Sequence, residues 1–71
     1  MWNLEGLSIE AKYLDEFLVS GKVESSRVAY GGKVKHTVVL NEPLAMRWRS
    51  EPAERLIVDH EMVMRVYSNA A

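Results

Sequence analysis

Residues 17–40 read FLVSGKVESSRVAYGGKVKHTVVL, and their centre, Tyr30-Gly31-Gly32-Lys33, is the strongest local signal in the chain. A two-residue hairpin loop of type I′ needs positive φ at both central positions, which Gly-Gly adopts without strain. With Gly31 and Gly32 as the loop, Tyr30 faces Lys33, Ala29 faces Val34, Ser25 faces Val38 and Val23 faces Leu40. This register predicts one apolar face of Val19, Val23, Ala29, Val34, Val38 and Leu40. It also places Arg27 across from His36 on that face, near the tip, where both are expected to stay wet. Gly21, inside an alternating run of Phe17, Val19 and Val23, has no side chain to pack and predicts a bend or a close backbone approach.

Working outward, Leu7, Ile9, Ala11 and Tyr13 alternate with Ser8, Glu10 and Lys12 in the period-two pattern of a half-buried strand. Asp15 and Glu16 separate this run from the next. Asn41-Glu42-Pro43 predicts a turn, because proline lacks a donor and holds its predecessor extended. Leu44, Met46 and Trp48 then alternate with Ala45, Arg47 and Arg49 as a fourth strand closed by Ser50-Glu51-Pro52. Residues 55–58 and 62–67 form two more runs rich in β-branched side chains. Asp59-His60-Glu61 between them suits a tight or 3₁₀ turn. No helical period interrupts these six extended runs, so the expected fold class is all-β, one domain over residues 1–71. A small open sheet would leave both edges bare, and closure into a strongly bent five-stranded barrel is the expected solution.

A long bent hairpin, a further strand and a short turn before the last strand resemble the SH3-like and Sm-like small barrels. Residues 55–59, His60-Glu61 and residues 62–66 look like the penultimate strand, short turn and final strand of that family. The resemblance implies assembly through barrel edges; uridine binding is not implied, because the Sm signature residues have no match. Trp2-Asn3-Leu4-Glu5-Gly6 and Val58-Asp59-His60 also resemble short uncharacterised proteins of tailed phages, which implies no activity.

With 71 residues, 48% hydrophobic and 27% charged, the composition is that of an ordinary small globular domain. A chain of this size buries about 60% of the surface its unfolded form exposes. The absence of cysteine excludes disulfides and thiolate metal sites, and fits a reducing compartment. The opening residues lack the basic start and apolar run of a signal peptide, and no stretch reaches the roughly 18 apolar residues of a membrane span. A soluble, cytoplasmic protein is expected, in the host cytoplasm if a phage encodes it, with no membrane partner.

The net charge of -1 hides a segregated chain. Residues 25–50 carry Arg27, Lys33, Lys35, Arg47 and Arg49 against Glu42 alone. Both flanking segments are acidic. With Tyr30, His36 and Trp48 interleaved, the middle segment offers cations for phosphate and rings for stacking, the two components of single-stranded nucleic-acid sites. Arg27, Tyr30, Lys33, Lys35, Arg47, Trp48 and Arg49 are therefore the candidate nucleic-acid-binding residues. Against this, Trp48 between two arginines also reads as a packing tryptophan, and lysines at a hairpin tip guard against edge pairing.

Asp59-His60-Glu61 reads as a solvated turn, since consecutive residues do not converge on one ion, and the spacing does not require His36 to approach it. Nucleophilic catalysis lacks a cysteine, a G-x-S-x-G turn, or a Ser, His and acid set that spacing favours. Gly31-Gly32 is too short to cradle phosphate. No cofactor, metal or enzymatic activity is implied. The apolar runs Leu56-Ile57-Val58 and Met62-Val63-Met64 suggest strands covered on both faces, and Met46, Met62 and Met64 suit adaptable contacts. The first expectation is thus an interaction module that binds a protein partner or itself as a homo-oligomer, and nucleic-acid binding through residues 25–50 is the alternative.

Overall fold

The computed structural model describes residues 2–67. It contains β1 (Ser8–Tyr13), β2 (Phe17–Val28), β3 (Val34–Leu44), β4 (Ala53–Asp59), a 3₁₀ turn (His60–Met62) and β5 (Val63–Tyr67). The strands form one sheet in the order β4-β3-β2-β1-β5, every neighbour antiparallel. Successive strands therefore pair directly from β1 to β4, and the 3₁₀ turn carries the chain across to the far side of β1. The all-β class matches the sequence pattern, and the short turn expected at residues 59–61 lies one residue later, at 60–62.

Alternation decides which side chains are covered. Ile9 and Ala11 of β1, Val19 and Val23 of β2, Val38 and Leu40 of β3, and Leu56 and Val58 of β4 are buried, joined by Ala53 and by Leu4 and Met46 from outside the strands. Gly21 belongs to this face. A Cβ there would overlap the Val39 carbonyl oxygen and lie 2.9 Å from Leu40 Cα, so the close approach of β2 and β3 requires glycine.

The hairpin differs from the expected register. Gly31 and Gly32 both have positive φ, 88° and 82°, but the connection spans residues 29–33 rather than two residues. Gly32 N–H donates to Ala29 O at 3.0 Å and Ala29 N–H to Lys33 O at 2.6 Å. A turn closed from residue 29 to residue 32 with positive φ at its third position satisfies the glycines as type II does. Val28 then faces Val34, and Ser26 rather than Arg27 faces His36.

A bulge between Val23 and Ser25 completes the change: Val23 faces Val38, Ser25 faces Thr37, and Glu24 is the extra residue. Inward positions on β2 thereby switch from odd to even numbers. Arg27 points out, while His36 is fully buried, in contrast to the wet pair expected from the sequence. Ala29 and Val34 are half-buried rather than core.

Three further expectations are corrected. Asn41-Glu42-Pro43 is not a turn, for β3 continues to Leu44. Residues 40–43 fall between the pairs Val39 with Arg55 and Leu44 with Ala53, an irregular stretch where a missing proline N–H breaks no paired position. No separate fourth strand forms, for residues 45–49 are not extended into a ladder; Met46 is buried, a turn is closed by Arg49 N–H on Met46 O at 3.0 Å, and Trp48 is half exposed. Six expected runs thus become five strands. The sheet is also open: among the described residues no ladder joins β4 to β5, so both are edges.

Candidate functional site

Four separate elements meet at His36. β3 turns it inward beside Val58 of β4 on one side and Ser26 of β2 on the other. Ser26 Oγ lies 2.7 Å from His36 Nδ1, and His36 Nε2 lies 2.8 Å from Nδ1 of His60 on the 3₁₀ turn. The N-terminal segment clamps the other end. Leu4 N–H donates to Ser26 Oγ at 3.1 Å, and Ser26 N–H donates to Glu5 Oε2 at 3.1 Å. Every polar atom of the buried ring is satisfied, as a core histidine requires.

Burial holds the His36 pKa below the ordinary histidine value, and the neighbouring His60 pushes it the same way. The neutral pair is compatible with two proton arrangements. In one, Ser26 O–H donates to His36 Nδ1 and His36 Nε2–H donates to His60. In the other, His60 Nδ1–H donates to His36 and His36 Nδ1–H donates to Ser26 Oγ, which has a lone pair for it beside the Leu4 N–H. The connectivity is that of nucleophile, base and orienting group. Ser26 Oγ is nevertheless engaged from both sides and its partner ring is enclosed, so the arrangement reads as a satisfied polar network that fixes four elements to one another.

His60 itself is exposed and lines a cleft with Lys33, Val34, Asp59 and Glu61. Next to it, Lys35 Nζ donates to Asp59 Oδ1 at 2.6 Å. That bond lowers the Asp59 pKa despite opposing desolvation, helped by the charges of Lys35 and Lys33. Among the described residues, no group of three or more His, Cys, Asp or Glu side chains is placed to hold a metal ion.

The seven basic and aromatic candidates divide into two groups. Arg27, Tyr30, Lys33 and Lys35 surround the β2–β3 tip, with Tyr30 fully exposed and Lys35 tied to Asp59. Arg47, Trp48 and Arg49 lie in the segment after β3, where Trp48 meets Phe17 edge-on at 5.8 Å between ring centroids. Phe17 is the first residue of β2 and the hairpin tip follows its last, so the whole length of β2 lies between the groups.

The sheet edges carry the remaining surface feature. On β4, Leu56 and Val58 are buried but Ile57 between them is exposed. β5 has no buried residue, and Met64, Val66 and Tyr67 are exposed. The apolar runs that suggested strands covered on both faces are therefore covered by the chain itself on one face, through buried Leu56 and Val58 in the first and half-buried Val63 in the second.

No helix among the described residues is long and apolar enough to cross a membrane. No protein-family model, curated protein or solved structure matches the chain.

Proposed function

We propose that this chain is an interaction module that assembles with further copies of itself, β4 of one copy pairing with β5 of the next. The observation that carries this reading is β5: an edge strand with no buried side chain and with Met64, Val66 and Tyr67 facing solvent. An edge presents unpaired N–H and C=O groups that template another strand. β5 has no lysine or proline, although Arg65 is exposed within it, and the opposite edge offers exposed Ile57 beside the charged Glu54 and Arg55. Because the two edges differ, the contact is head-to-tail and propagates until it closes as a ring. The strand order and the 3₁₀ turn before β5 support reading the domain as a bent sheet of the SH3-like or Sm-like kind whose seam is left open.

Sedimentation velocity over a range of concentrations tests the assembly. The wild type is expected as an oligomer and Val66→Lys as a folded monomer, since a charge on the β5 edge disfavours pairing. A wild type that stays monomeric at high concentration removes the reading.

Nucleic-acid binding is the second reading, favoured by the fully exposed Tyr30 between Arg27 and Lys33. A complex with a short single-stranded oligonucleotide that dissolves between low and moderate salt supports it.

A further inference from the structure

We infer that the His36–His60 pair is a proton-operated latch on β5: the pair accommodates one proton, and a second opens it and frees the 3₁₀ turn and the edge strand that follows. Its consequence for assembly rests on the edge-pairing reading above.

The geometry permits the first proton. With His60 doubly protonated, its Nδ1–H donates to the bare Nε2 of His36 across 2.8 Å, and His36 Nδ1–H donates to Ser26 Oγ. That oxygen still accepts Leu4 N–H on its other lone pair. No bond in the chain is lost. A second proton places N–H groups on both facing nitrogens and two positive charges side by side, and the rings must part.

Which ring moves follows from where each is anchored. His36 is enclosed between Ser26 and Val58 in the middle of the sheet, whereas His60 is exposed on a turn of three residues that contains no buried side chain. Asp59, tied to Lys35, stays behind as the pivot. Beyond the turn, β5 has no buried residue, and its ladder to β1 is already broken by a bulge between Glu10 and Ala11. Once the turn is free, the strand is held by this interrupted ladder and by half-buried Val63 against the core, without a fully buried anchor.

The surrounding charges are mixed. Glu5 on the N-terminal segment, Asp59 on β4 and Glu61 on the turn favour protonation, with Asp59 largely engaged by Lys35. Lys33 and Lys35 on the hairpin oppose it, as does Lys12 of β1, which shares a cleft with Asp59 and Met62. Arg65 of β5 lies opposite Glu10. With these nearly balanced, burial of His36 and the repulsion within the pair set the response.

Amide hydrogen exchange at a concentration where the protein is monomeric, corrected for the intrinsic rate, reads the latch from about pH 7.5 to about pH 5. The expected result is a loss of protection over β5 of roughly tenfold or more while β2 and β3 keep theirs. His60→Gln is expected to keep β5 protected throughout, because the amide oxygen accepts His36 Nε2–H whether or not His36 is charged. β5 protection that ignores pH, or protection lost equally in β2 and β3, overturns the latch. Sedimentation over the same range separates the two readings. Acid dissociation of the wild type but not of His60→Gln supports both, and an oligomer indifferent to pH overturns the latch as regulator. The exchange signature in a chain that never oligomerises upholds the latch and overturns the assembly.

Discussion

Ser26 Oγ hydrogen-bonds His36 Nδ1 at 2.7 Å, a contact that exists because one bulged residue, Glu24, shifts the inward face of β2. Without the bulge the Val23–Val38 pairing would run on to set Ser25 opposite His36; Arg27 would face it only across a two-residue Gly31-Gly32 loop. A serine hydroxyl satisfies a buried imidazole; a guanidinium beside it would bury a second charge-bearing group without a counterion. The bulge thus selects Ser26, whose hydroxyl oxygen also accepts Leu4 N–H, as the partner of His36.

Ser26→Ala removes the partner of His36 Nδ1 and of Leu4 N–H together. A buried group left unpaired costs about 1–3 kcal/mol, and urea denaturation is expected to show a loss in that range. The Glu5 contact uses the Ser26 backbone and survives, so the N-terminal segment stays docked at one point.

Alternation made β1, β2 and the core positions Ile9, Ala11, Val19 and Val23 legible, because a period of two on a half-buried strand leaves a direct mark on the sequence. The bulge leaves no such mark: Glu24-Ser25-Ser26 are all polar, so no apolar residue reports the change of phase. The His36–His60 contact was hidden for another reason: alternation sets His36 on the apolar face, but the two-residue-loop register puts Arg27 opposite it at a wet tip instead of Ser26 in the core. A histidine in the middle of the alternating run Val34, His36, Val38 and Leu40 was the available clue. Pro43 misled in the other direction. A proline after Asn-Glu ordinarily marks a turn, yet here an unpaired part of β3 tolerates it.

Gly21→Ala is expected to be far more damaging than Gly31→Ala. The first drives a methyl into the Val39 carbonyl and the backbone at Leu40, so two strands must separate, at a cost of about 3 kcal/mol or more. The second meets open space and pays for its left-handed φ of 88° alone, about 1–2 kcal/mol. Thermal melts of the two variants rank them.

Leu14 and Asp15 in the β1–β2 turn hold φ of 55° and 54°, a conformation that a bulky L residue adopts at a penalty. The turn is closed by Glu16 N–H on Tyr13 O at 3.1 Å, and the Leu14 side chain is mostly exposed. Leu14→Asn relieves the strain with little packing to lose. It is expected to raise stability by about 0.5–1 kcal/mol, seen as a higher melting temperature.

The two exposed aromatics of the basic middle segment separate by what they touch. Trp48 contacts Phe17 edge-on, a geometry worth about 0.5–1.5 kcal/mol, and Trp48→Ala is expected to lower stability by that order. Tyr30 is fully exposed, so Tyr30→Ala leaves the melting temperature unchanged. Any loss of oligonucleotide binding in Tyr30→Ala then reports on contact rather than on folding.

Stability is expected to fall with acid in two stages. Burial and then the neighbouring His60 depress the folded pKa of His36 below the ordinary value of 6.5. A depressed pKa means that the unfolded chain binds the proton more readily, so the His36 contribution is complete above the unfolded pKa and is lost as pH falls through the folded one. The hydrogen bond from Lys35 likewise depresses Asp59 below 3.8, and its contribution is present above that value and disappears at more acid pH. Denaturation midpoints measured against pH should therefore decline first below 6.5 and again below 3.8. Lys35→Met, which removes the Asp59 partner, should flatten the second decline and leave the first in place. A single decline confined to the carboxylate range would show that His36 takes up its proton in the folded state as easily as in the unfolded one.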